Sequence, residues 1–61
     1  MKYYWVIQVS GGNYYTTRFK SYEAAYNRFS KVRGGEVYLH ESFQEDERSV
    51  IDEFKASQVR R

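Results

Sequence analysis

Few of the 61 residues have the type and spacing for chemistry. His40 is the only imidazole, and a general base needs a partner within hydrogen-bond reach. Its neighbour Glu41 would point to the opposite face of a strand, so His40 reads as a surface strand residue whose protonation near neutral pH tunes binding. Glu45, Asp46 and Glu47, with Glu41, could attract a hard cation, yet the alternating oxygen ligands and central glycine of a calcium loop are missing. They read as a solvated acidic loop. Gly11-Gly12 precedes a strand, and Gly34-Gly35 follows a helical pattern without a Lys-Ser/Thr pair, so both pairs are turn chemistry rather than phosphate cradles. No serine or threonine sits in a nucleophile elbow, and cysteine is absent, which removes thiolate ligands and thiol nucleophiles. The expectation is a protein that is not an enzyme and uses no cofactor and no metal.

The elements that would position these residues are short. Residues 3 to 9 and 14 to 19 are rich in β-branched and aromatic side chains, with Gly11-Gly12-Asn13 between them, and predict a hairpin. Alternation puts Tyr3, Trp5, Ile7 and Val9 on one face of the first strand; Tyr15, Thr17 and Phe19 are read as their companions on the second. Ser21 is a helix N-cap and Glu23 suits the first turn. Tyr22, Ala25, Tyr26, Phe29 and Val32 or Arg33 then recur at helical spacing up to Gly34-Gly35. Glu36 to Ser42 alternates as a third strand, with Val37 and Leu39 on its core face. Residues 49 to 55 admit two readings. A fourth strand would widen a narrow sheet, whereas Val50, Ile51 and Phe54 follow helical spacing between an acidic start and a basic end. The preferred reading is an α+β fold of ββαββ order, an antiparallel sheet with one helix on one face; the alternative is ββαβα with a C-terminal helix. One domain is expected over residues 1–57, with a frayed tail at 58–61.

Composition bounds the function. A chain this short buries only about 60 % of its unfolded surface, which leaves little room for a deep cleft. Twelve residues are aromatic against nine Val, Ile and Leu together, so rings must build the core. The net charge of +2 conceals an asymmetry: residues 1–35 carry +5 and residues 36–61 carry −3. This suits an anionic partner but falls short of the footprint of a dedicated nucleic-acid binder. No apolar run approaches the ~20 residues of a membrane span, and Met1 to Trp5 lacks a signal-peptide core; with no cysteine, a cytoplasmic setting is expected, without membrane contact.

What remains is the sheet face turned away from the helix, onto which Tyr4, Val6, Gln8, Tyr14, Thr16, Arg18, Tyr38 and His40 are expected to project. Such a face could close against a protein partner or a second copy, tyrosine offering large contact area at low ordering cost. Alternatively it could stack unpaired bases while Arg18, Lys2 and Lys20 meet phosphates.

The run Trp5-Val6-Ile7, then Arg18-Phe19-Lys20-Ser21-Tyr22-Glu23-Ala24-Ala25-Tyr26 and Gly34-Gly35, resembles the Apetala-type DNA-binding domains and the arm-binding domains of tyrosine recombinases. The likeness spans about half the chain. It implies a three-stranded sheet laid in the major groove with Arg and Trp reading bases; here two strands precede the helix and there is no Arg cluster. The strand-strand-helix-strand layout also looks like small proteins carried by bacteria and their phages. The expected function is thus a small non-enzymatic binding protein, of bacterial or phage accessory type, acting on a protein partner or on itself; the alternative is a nucleic-acid-binding accessory domain using the same face.

Overall fold

A computed structural model describes residues 1–58 in the order β1 (Tyr3–Ser10), β2 (Asn13–Phe19), α1 (Tyr22–Lys31), β3 (Glu36–Ser42) and α2 (Glu47–Gln58). The class is α+β. Residues 48 to 55 lie within α2, so the fourth strand is corrected to a helix and the order is ββαβα. Asp46 explains why. Its carboxylate accepts the Ser49 backbone N–H at 2.9 Å, and its carbonyl accepts the Val50 N–H at 3.1 Å. This is an N-cap, with Glu47 in the first turn where the helix dipole favours an acid. The acidic run is therefore a helix start rather than a hairpin loop. Gln58, placed in the tail on sequence grounds, closes α2; the rest of that tail, residues 59–61, lies outside the described residues.

The three strands pair antiparallel in the order β2-β1-β3. Gly11 and Gly12, at φ 58° and 80°, form a two-residue connection in which Ser10 faces Asn13, the twist-compatible hairpin turn that needs positive φ at both central residues. That loop length fixes the register. Val9 pairs with Tyr14, Ile7 with Thr16 and Trp5 with Arg18. Treating Gly11-Gly12-Asn13 as a three-residue loop slips the pairing by one, and a one-residue slip moves a whole strand's side chains to the other face. The expected companions Tyr15, Thr17 and Phe19 therefore lie on the opposite face from Trp5. So do Val37 and Leu39, because β3 pairs Ile7 with Tyr38 and Trp5 with His40.

Helices cover both faces. The face carrying Tyr3, Trp5 and Ile7 packs on Val50 and Phe54 of α2, with Val9, Tyr14, Tyr38 and Ile51 at its margin. The expectation that α1 covers this face is corrected: α1 lies on the other, where Tyr4 meets Tyr22 edge-on at 5.8 Å and Val6 and Ala25 are buried. Ser21 caps α1, its hydroxyl accepting the Ala24 N–H at 3.2 Å. The helix ends at Lys31 and Val32 turns extended, before the glycines. Gly35, at φ 66°, then passes so close to β1 that a Cβ there would overlap the Val9 carbonyl. Only glycine fits that crossing.

Candidate functional site

The eight residues expected on one open face are divided between two covered ones. Tyr4, Val6 and Gln8 belong to the α1 side, whereas Tyr14, Thr16, Arg18, Tyr38 and His40 belong to the α2 side. Val6 is buried. Gln8 spends its amide on the connection after α1, donating to the carbonyls of Arg33 and Gly34 at 2.9 Å each. On the α2 side the rings of Tyr14, Tyr38 and His40 all pack on Phe54, with centroids 6.3, 4.9 and 5.8 Å away. Thr16, beside Ile7 in the same row, is half-buried. Arg18 reaches the Glu45 carbonyl at 2.7 Å and lies 4.8 Å over the Tyr3 ring, and Trp5 donates its indole N–H to the neighbouring Gln44 carbonyl at 3.2 Å. These two side chains fasten the segment that leads into α2. Lys2 pairs with Glu41 at 3.3 Å. Of the cations expected to meet phosphates, Arg18 and Lys2 are thus engaged within the protein.

Phe43 and Tyr15 are exposed, but the exposed rings that stack on one another are on α1. Tyr22 and Tyr26 stack with centroids 6.0 Å apart and planes 24° apart, and Tyr26 continues to Phe29 at 6.0 Å. With Tyr4 beneath Tyr22, four rings form one run. Tyr22 and Tyr26 are 52 % and 49 % exposed, while Phe29 is half-buried. The helix explains the flare. Ala25 is fully buried and has no bulk, so α1 sits close to the sheet and the larger rings around it are pushed to the flank. Their spacing of four and three residues was legible in the sequence, but it reads as core. The missed signal is that Ala25 alone marks the centre of the buried stripe, with Tyr22 and Tyr26 offset to one side.

The basic residues of α1 lie elsewhere. Arg28 and Lys31 stand in the last turn, where cations offset the helix dipole, and with Gln8 and Val32 they line an open depression of about 320 Å³. Two positions along a helix are about 160° apart around its axis, so Arg28 faces away from Tyr26. The aromatic edge and the basic edge are opposite flanks of one helix.

Two carboxylates and one phenol are electrostatically shifted. The Ser49 N–H and hydroxyl beside Asp46 hold its carboxyl below the usual range. Glu53 is lowered by hydrogen bonds from Ser42 and His40. The Tyr38 hydroxyl is raised, chiefly because it donates to the Glu36 carboxylate. Among the described residues no group of three or more His, Asp or Glu side chains is gathered as a metal site would require, and no helix is long and apolar enough to cross a membrane.

Comparison with known proteins supplies no relative for this arrangement: a scan of protein-family models found no match, and neither did searches of curated proteins and of solved structures.

Proposed function

We propose that this is a small, non-enzymatic binding protein of the cytoplasm, an accessory protein of bacterial or phage type, whose contact surface is the aromatic edge of α1 and whose partner is another protein. The observation that carries this reading is the continuous run Tyr4–Tyr22–Tyr26–Phe29, with two of its rings about half exposed. Tyrosines in such a run present rigid, amphipathic area of the kind that dominates protein contacts. The nucleic-acid alternative is less well supported, because stacking on Tyr22 and Tyr26 would leave Arg28 and Lys31 on the far flank, away from the phosphates.

The test is recovery of the tagged protein from its native cell, with and without nuclease, as wild type and as the Tyr22→Ser/Tyr26→Ser double variant. The double variant should stay folded, since exposed positions usually move stability by about half a kcal/mol or less. A protein partner that survives nuclease and is lost in the double variant supports the reading. A partner released by nuclease, or retained by the double variant, overturns it.

A further inference from the structure

The sheet ends in two unlike edges. β1 lies between β2 and β3, so each outer strand is paired on one side only, and a row of unpaired backbone N–H and C=O groups is a template for another strand unless the sequence guards it. β3 is guarded by charge, with Glu36 and Glu41 among its residues. β2 has no acid and no proline, and its register against β1 runs from Asn13 to Phe19 without a bulge. Its one cation is folded back, Arg18 bonding the Glu45 carbonyl and covering Tyr3. Among the described residues no loop or side chain hydrogen-bonds the β2 backbone. The turn fixes which groups are free. Ser10 and Asn13 flank a two-residue connection and so form a hydrogen-bonded pair; alternation then points the backbone groups of Tyr15, Thr17 and Phe19 at β1 as well, and turns those of Tyr14, Thr16 and Arg18 outward. Beside this edge the Tyr15 side chain is 53 % exposed.

We propose that β2 is a self-pairing edge, at which two copies of the chain join β2 to β2 about a two-fold axis and continue one antiparallel sheet through both. An axis perpendicular to the sheet makes the pairing antiparallel and closes it at two copies. Outward groups must meet outward groups. With the axis at Thr16, that residue faces its own copy and Tyr14 faces Arg18 of the second copy, so all three outward residues of each strand are used, in about six interstrand bonds. The same register sets Tyr15 against Thr17 of the second copy, twice over, an aromatic and β-branched pair of the kind that stabilises sheets. Charge selects this edge. Pairing β3 with β3 would gather the Glu36 and Glu41 carboxylates of both copies, whereas in the β2 junction the two Arg18 residues stand about 13 Å apart along the strands and no like charges meet. One strand edge per copy lies at the low end of interface sizes, so the dimer is weak and depends on concentration. The surface is separate from the aromatic edge of α1.

The experiment follows amide hydrogen exchange of the whole chain by NMR from about 30 µM to about 1 mM, with sedimentation equilibrium over the same range. The mass should rise from that of the monomer toward twice that value, and exchange of the Tyr14, Thr16 and Arg18 amides should slow about threefold to fourfold, as a dissociation constant of about 100 µM gives. A monomer at every concentration, association without slowing at those three amides, or growth beyond the dimer through head-to-tail pairing of β2 with β3 overturns the proposal. Thr16→Pro removes an outward N–H and no bond to β1, a change that edge strands tolerate, and should give a folded monomer. If it does not fold, Thr16→Lys takes its place, setting two like charges face to face at the axis, and should weaken association several-fold. A folded variant of either kind that dimerises like the wild type overturns the proposal. Tyr22→Ser/Tyr26→Ser should dimerise unchanged; loss of association in that variant would place the contact on α1 instead.

Discussion

Arg18 shows how a single side chain changes meaning once its neighbours are known. As an exposed cation on a tyrosine-rich strand it suits phosphate contact, yet its guanidinium bonds the Glu45 carbonyl and covers Tyr3. Arg18→Ala should accordingly lower stability by about 1 kcal/mol, from one charge-assisted hydrogen bond and a cation–π contact at an exposed site. Denaturant titration checks this, and an unchanged midpoint would mean that the clamp contributes nothing. Asp46 makes the complementary case. Asp46→Ala should destabilise the fold while Asp46→Asn, which can still accept the Ser49 N–H, should retain most of the cap. Since Asp46 is held below the ordinary carboxylate range, its contribution is present above that range and lost as pH falls through the lowered value. The Asp46→Ala and wild-type stabilities should therefore converge in strong acid, as thermal melts across the acid range would reveal.

At the scale of elements, the two helices are unequal. α2 supplies Val50 and Phe54 to the cluster that buries Tyr3, Trp5 and Ile7, whereas α1 buries Ala25 alone and leaves its larger rings at the margin. Phe54→Ala should cost about 3–5 kcal/mol and unfold so small a domain. Phe29→Ala removes a half-buried ring and should cost about 1–2 kcal/mol, leaving a folded protein whose melting curve is merely shifted. Equal losses at the two positions would contradict this ranking. The turns differ in the same way. Gly35→Ala meets the Val9 carbonyl as well as an unfavourable φ, while Gly11→Ala meets no atom, so the former should be the more damaging. The elements themselves were largely legible: the hairpin by its glycines, α1 by Ser21 and Glu23, β3 by its alternation. Their faces were not, because register depends on whether Asn13 belongs to the loop or to β2, a choice of one residue that composition does not decide. α2 was legible in Asp46, Glu47 and the Val50, Ile51, Phe54 spacing, but an acidic run between apolar stretches imitates a hairpin loop.

For the whole molecule, the decisive feature is that helices lie on both faces of a three-stranded sheet, so Tyr4, Tyr14, Tyr38 and His40 form no open platform, and the exposed rings that stack on one another are Tyr22 and Tyr26 of α1, with Tyr15 and Phe43 exposed elsewhere. A sheet with one bare face would restore the sequence-based site; a sheet with two covers moves the contact surface to a helix edge. The loss of the open sheet platform rests on α2 lying over Trp5. The most direct test is a set of proton–proton contacts measured by NMR from the Phe54 ring, together with backbone carbon shifts for residues 47–58. The structure requires helical shifts throughout that segment and contacts from Phe54 to Ile7, Tyr14, Tyr38 and His40. Strand-type shifts at residues 48–55, with cross-strand contacts to residues 37–43, would contradict it.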